Sequence, residues 1–195
     1  MTERGRACTI LVVSSTEKFE AFVRKELTER GFGTIEVRKS ASLAQRALLE
    51  RPYNIVIVNT PLSDETGIDL AIDISERYTA GVVLAVAGEV AEDVADRVTD
   101  HGIIVIPKPV TRIVVSRSVR LLCALQEKLA DTQKKIRNLE ERMEEIRIVN
   151  RAKWVLIENE MISEKEAHRR ITKEAMDRCV SKRIVAEEII DRYRP

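Results

Sequence analysis

Residues 55–70 read IVIVNTPLSDETGIDL, and this stretch decides the fold. A continuous apolar run, the core of a strand over Asn54 to Val58, ends abruptly. A loop rich in Thr, Pro, Ser, Asp and Gly follows, and a helical pattern opens near Ile68. An unbroken run of β-branched residues suits a parallel strand buried on both faces. The same unit recurs on either side. Cys8 to Val13 is another buried run, followed by a helix over Glu17 to Arg30 that gathers Phe19, Phe22, Val23 and Leu27 on one face. Gly31 stops that helix. Thr34 to Val37 reads as a second strand and Ser42 to Glu50 as a short helix. Downstream come a helix over Ile68 to Arg77, a strand over Gly81 to Val86, a helix over Glu89 to Asp100 and a strand over Ile103 to Ile106. Five strands with intervening helices predict an α/β domain, a doubly wound parallel five-stranded sheet over residues 1–110. Its functional groups belong at the carboxyl ends of the strands.

After Pro109 the pattern changes. Residues 111–150 contain neither Gly nor Pro. Val115, Leu122, Leu129, Ile136 and Met143 share one heptad position; Leu125, Leu139 and Ile146 share the other, with Ser118 and Thr132 as weaker members. About four sustained heptads predict a coiled coil, and an identical chain is its simplest partner. The other reading is one long helix lying on its own sheet. Lys135 and Glu140 suit a parallel seam whereas Arg142 and Arg147 oppose it, so the charges leave strand orientation open. Dimerisation is assigned to Leu122, Leu125, Leu129, Ile136, Leu139, Met143 and Ile146.

Residues 151–195 predict a small all-α unit of three helical segments. The first continues the coil through Ala152, Val155 and Leu156. Ser163 and Glu166 form an S-x-x-E capping box that starts the second. Ala167, Ile171, Ala175 and Cys179 make its apolar face, with His168 beside them as a core histidine. Ser181 caps a third helix that buries Val185, Ile189 and Ile190.

Composition narrows the function. The chain has 195 residues, 44% hydrophobic, 33% charged and 4% aromatic. Its three cysteines, Cys8, Cys123 and Cys179, form no CxxC pair and read as reduced thiols. Neither His101 nor His168 has a Cys or His at metal-ligand spacing, so no metal site and no cofactor are expected. No run approaches a membrane span, and Met1 to Thr9 lack a signal-peptide core, which predicts a cytoplasmic protein. The net charge of +1 conceals a division. Residues 1–110 carry 13 basic against 17 acidic groups, residues 111–150 carry 9 against 6, and residues 151–195 carry 11 against 9.

The element order, Lys108-Pro109 after strand five and the NTPLSDETGIDL segment after strand three together resemble the receiver domain of two-component response regulators. The resemblance implies a lysine that bonds phosphoryl oxygens, matched by Lys108. It also implies an acidic pair where this chain has Ser14 and Ser15, and a nucleophilic aspartate where it has Asn59. Val86 stands at the hydroxyl position ending strand four, and Val105 at the switch aromatic. The family places nothing catalytic at Asp64. An amide forms no acyl phosphate and serines are poor magnesium ligands. The expectation is therefore a pseudo-receiver without catalysis, switched by a partner protein or small ligand. Lys108 has two readings, an anion-binding residue or a strut to Asn59 or nearby carbonyls.

Residues Arg151 to Ile190 resemble the ANTAR domain, an RNA-binding antiterminator module of bacterial regulators. The pattern lies in Ala152-Lys153, Leu156, Ser163-Glu164, Glu166-Ala167, Arg169, Ala175-Met176, Val185-Ala186 and Ile189-Ile190. The order of parts is similar to that of antiterminators of the amidase-operon type. The chain departs from the family at Trp154 and Met161, where Gly is usual, and at His168, where an aromatic is usual. Trp154 either packs against the second helix or stacks on a base. The resemblance implies a dimeric antitermination regulator binding stem-loops of nascent leader RNA. Lys165, Arg169 and Lys173, spaced by four, line one helix stripe, with Arg170, Lys153, Lys182 and Arg183 around it. The alternatives are a DNA-binding response regulator, disfavoured by the length of the second helix, and an adaptor that binds no nucleic acid.

Overall fold

The computed structural model describes residues 8–194. Of the polar opening read at Met1–Thr9, the residues before Cys8 lie outside the described residues, as does Pro195. The chain divides into two units, Met1–Leu129 and Ala130–Pro195.

In the first unit the strands are β1 (Ile10–Ser14), β2 (Ile35–Arg38), β3 (Ile55–Asn59), β4 (Gly81–Ala87) and β5 (Ile104–Lys108). They form one sheet in the order β2-β1-β3-β4-β5, and every pairing is parallel. The helices are α1 (Glu17–Glu29), α2 (Ala41–Glu50), α3 (Ile68–Arg77), α4 (Ala91–Val98) and the start of α5 (Arg112–Glu160). The expected helix over Glu89 to Asp100 is α4 with a 3-10 turn at each end.

Side chains alternate across each strand, so the continuous runs supply two cores at once. Leu11, Val13, Val56, Val58, Val82, Leu84 and Val86 face α2, α3 and α4, burying Ala44, Leu48, Leu70, Ile74, Val94 and Val98. Ile10, Val12, Ile55, Ile57, Val83 and Ala85 face the other way, against Val23 and Leu27 of α1 and Val115, Val119 and Leu122 of α5. A Cβ added to Gly81 would lie 3.0 Å from Leu122 Cδ2. The glycine thus makes the flat place on β4 where Leu122 seats.

That seat corrects the dimer seam. Leu122 is 6% exposed in the core of its own domain and is not free for a partner. Residues 115, 119 and 122 fall on one face of a 3.6-residue helix, and 115 and 122 also share a heptad position. The two periods coincide over so short a span. From Leu125 onward the seam residues Leu129, Ile136, Leu139, Met143 and Ile146 are exposed.

The second unit contains the remainder of α5, α6 (Glu164–Asp177) and α7 (Lys182–Arg192). Its core is Val149, Ala152, Leu156, Ala167, Ile171, Ala175, Val185, Ala186 and Ile189. Alanines at these facing positions let helix backbones approach closely. Ser163 accepts from Glu166 N–H at 3.2 Å and Ser181 from Ile184 N–H at 3.4 Å, so both predicted caps form. Two expectations fail here. His168 is exposed, not core. Cys179 is also exposed, beyond the Arg178 cap of α6, with φ of 52°.

Candidate functional site

The strand ends gather Ser14, Ser15, Asn59 and Lys108, with Ser14 paired to Asn59 in register. These groups bond one another and nearby backbone. Asn59 Nδ2 donates to Ser14 Oγ at 3.0 Å. The same hydroxyl accepts from Thr16 N–H at 3.0 Å and donates to Thr16 O at 3.3 Å. Ser15 Oγ donates to Pro61 O at 3.2 Å, and Thr60 Oγ1 to Ala85 O at 2.9 Å. The Lys108 ammonium donates to Thr60 O, which makes it a strut to a carbonyl and not a partner of Asn59. Burial pushes its pKa below the usual lysine value. Asn59 Oδ1 is buried without a hydrogen-bond partner. Val86 is 1% exposed and belongs to the core.

Hydroxyls and an amide are weak ligands for a hard dication, which prefers carboxylates. The donor set therefore does not fit the magnesium ion of a receiver. Asp64 is occupied elsewhere. Its carboxylate accepts from Ala41 N–H at 2.9 Å and Ser42 N–H at 3.1 Å, tying the loop after β3 to the start of α2. Those two backbone donors hold its pKa below the usual carboxylate value.

The second unit sorts its cations into two sets. Lys153 pairs with Glu164 at 2.8 Å, Arg170 with Glu160, and Arg183 with Glu187 at 2.8 Å. Arg178, which sequence reasoning does not single out, holds Glu188 through both guanidinium nitrogens and reaches Glu174 at 3.1 Å. The Tyr193 hydroxyl donates to Glu160 at 2.6 Å and, with Arg170, keeps that carboxyl low. Apart from Arg183–Glu187, which lies within α7, and Arg178–Glu174, which is local to the end of α6, these contacts tie α5, α6 and α7 to one another. Lys165, Arg169, Lys173 and Lys182 have no ion pair among the described residues.

The first three of these occupy successive turns of α6 and are exposed. Beside them lies a groove of about 270 Å3 lined by Ile162, Glu166, Arg169, Arg170 and Lys173. The stripe is legible from its spacing. The groove is not, because Ile162 lies in the turn before α6. Trp154 is 64% exposed, so it does not pack away against the second helix. No helix among the described residues is long and apolar enough to cross a membrane.

Residues 137–190 match the family profile described as the ANTAR domain. The first unit has the receiver fold. It superposes on the signal receiver domain of an HD domain-containing protein from Pseudomonas fluorescens Pf-5 with a TM-score of 0.59 at 20% identity, covering 67% of this chain and 97% of that one. A response regulator receiver domain protein from Clostridium thermocellum gives 0.57 at 17% identity, covering 63% and 98%. The chain thus joins a domain of receiver fold to a segment that matches the ANTAR domain. Among named proteins, the chain is similar to the transcriptional regulatory protein PdtaR of Mycobacterium tuberculosis. They are 26% identical over 178 residues, which cover 88% of this chain and 86% of that protein.

Proposed function

We propose that the chain is an RNA-binding transcription antitermination regulator of the bacterial cytoplasm, whose receiver-fold domain lacks the phosphoacceptor aspartate. The observation that carries the reading is the exposed stripe Lys165, Arg169 and Lys173, unpaired beside a groove in the ANTAR domain. RNA readers combine cations for phosphate with planar groups for splayed bases. The guanidinium of Arg169 and the exposed indole of Trp154 supply planar faces for the second task. A homodimer joined through Leu125, Leu129, Ile136, Leu139, Met143 and Ile146 presents two such domains, so two weak contacts act together on tandem stem-loops. Binding there favours the antiterminator over the terminator hairpin. Three parts, a receiver-like domain to 110, a coil over 111–150 and an RNA-binding tail over 151–195, divide the work.

Asn59 at the end of β3, with Ser14 and Ser15 in place of an acidic pair, supports regulation by a partner protein or small ligand instead of phosphate. On this reading no catalysis takes place. Gel-shift titration with tandem-hairpin leader RNA tests the main claim: a dimeric preparation binds with a marked salt dependence. Failure to bind at low salt, or equal binding to duplex DNA, would sink it. Acetyl phosphate with magnesium leaves the chain unlabelled; a hydroxylamine-sensitive adduct would contradict the reading of the receiver-fold domain.

A further inference from the structure

Cys8 and Cys123 are 115 positions apart in the chain, yet their Sγ atoms lie 2.9 Å apart. The fold creates this contact. Cys8 stands just before β1, on the sheet face that α1 and α5 cover. Cys123 follows Leu122 on α5, and the seat of Leu122 against Gly81 fixes its height above the sheet. Cys123 therefore sits on a packed helix, and Cys8, two residues before β1, is buried in the same core against it. Cys8 is buried and Cys123 is only partly buried, while Cys179 is exposed in the other unit. Of the two, Cys123 is the less covered and so the first to meet a small reagent.

The geometry points to a modification site: a peroxide-class oxidant converts Cys8 and Cys123 into an intradomain disulfide that pins the root of α5 to the start of β1. The Cys123 thiolate attacks one peroxide oxygen. The O–O bond breaks, hydroxide leaves and takes up a proton, and Cys123 carries a sulfenic acid. The Cys8 sulfur then attacks Cys123 Sγ, forming the S–S bond. The sulfenic hydroxyl leaves as water with the Cys8 proton. Two thiols and one peroxide give one disulfide and two waters; the thiols lose two electrons and the peroxide gains them. The order follows from exposure and from the shared contact. Hydrogen bonding from Cys8 favours the thiolate at Cys123, and the same contact, with burial, holds the Cys8 proton on. Contact between the sulfurs favours the second attack over further oxidation of Cys123.

The test uses the full reduced chain, treated with stoichiometric hydrogen peroxide, quenched in acid, denatured and alkylated with a maleimide. The expected product is a monomeric chain in which one disulfide has replaced two thiols, about 2 Da lighter before the maleimide adds, with only Cys179 alkylated. Tryptic mapping links the peptide 7–18 to the peptide 121–128. Linkage in the native chain runs at least about tenfold faster than in urea, because the fold supplies the proximity. The oxidised chain melts roughly 5–10 °C higher, as a disulfide closing so long a loop predicts. Cys179→Ser leaves the linkage intact and Cys123→Ser abolishes it. Three results overturn the proposal: Cys123 carried to sulfinic acid with Cys8 still free, equal rates in native and denatured chains, or a disulfide that includes Cys179. The mapping is done on the unmutated chain, so a variant that fails to fold does not affect the outcome.

Discussion

The strand-end pocket of the first unit and the α6 face of the second are opposites in how they treat polar groups. In the pocket Ser14, Asn59, Thr60 and Lys108 turn on one another and on backbone, leaving the buried Asn59 Oδ1 as the exception. Around α6, Lys153 and Arg170 are held by carboxylates, whereas Lys165, Arg169 and Lys173 are left to solvent. A buried polar group must be satisfied internally, at a cost of about 1–3 kcal/mol if it is not. An exposed cation costs nothing to leave unpaired and gains from any phosphate that arrives. The pocket therefore reads as a structure closed on itself, and the α6 face as a surface waiting for a ligand.

The largest expected effect breaks that comparison from the α6 side. Reversing Lys165, Arg169 and Lys173 together to Glu leaves three phosphates without their cations and adds repulsion. Affinity for leader RNA should fall roughly 1000-fold, and the slope of log affinity on log salt should shrink by about 2, near 0.7 for each phosphate no longer neutralised. Ser14→Ala, on the pocket side, should leave affinity within about twofold, since it touches no part of the RNA surface. Fluorescence anisotropy across a salt series reads both. Equal weakening by the two changes would show that the pocket also serves RNA binding.

Next in size is a test within α5, where one helix carries both a core and a candidate seam. Leu122→Ala should destabilise the first unit by about 2–5 kcal/mol, the range for emptying a buried leucine site. Leu129→Ala, at an exposed seam position, should cost the isolated chain less than about 0.5 kcal/mol. It should weaken the dimer instead, which sedimentation at several concentrations measures. If Leu122→Ala also dissociates the dimer while the first unit stays folded, the seam reaches further toward the sheet than burial indicates.

This pair shows what is legible in the sequence. Unbroken runs such as Ile55 to Val58 give the strands away, because only a sheet covered on both faces tolerates them. Their boundaries move by a residue or two, and the order of elements does not. Leu122 misleads because a heptad repeat and a sheet-facing helix stripe are the same pattern over two turns. Spacing from Ala175 puts Cys179 on the α6 face. Steps of four residues drift about 40° each around a helix, however, so Cys179 stands about 120° from Ala167 even before the helix ends. His168, next to Ala167, falls outside the core because an Ala167–Ile171–Ala175 stripe is too narrow to include its neighbour. At the candidate site, spacing finds the cations but not Glu164 and Glu160, the partners of Lys153 and Arg170, which come from other helices. Nothing local in the sequence signals the Cys8–Cys123 contact, which exists only once α5 returns to the face of β1.

Met161 offers a smaller effect. It follows α5 with φ of 56°, and its N–H still closes the helix on Ile157 O at 3.1 Å. The left-handed region costs an L-residue about 1–2 kcal/mol. The side chain is 88% exposed, so removing it sacrifices little packing. Met161→Gly should raise stability by about 1 kcal/mol, after allowing for the greater freedom of unfolded glycine. That is a rise of roughly 2–4 °C in Tm for a chain of this size. RNA affinity unchanged by the same substitution would place the αL turn outside the reading surface and confine that surface to the α6 stripe.

The smallest effect probes the pocket by pH. Burial beside Thr60 O holds the Lys108 pKa below its ordinary 10.5, and unfolding restores it. Between the two values the unfolded chain keeps a proton that the folded chain has released. Stability from this group therefore rises with pH across that window, reaching its full value above 10.5. Lys108 remains largely solvated, so the slope is shallow, a fraction of a kcal/mol in all. Urea midpoints measured from pH 8 upward should show it in the unmodified chain and lose it in Lys108→Met. The α6 cations predict the contrast. Lys173 is exposed on α6, so Lys173→Met should weaken RNA binding while Lys108→Met leaves it within about twofold. RNA binding lost with Lys108→Met and kept with Lys173→Met would reverse the assignment of strut and open cation between the two regions.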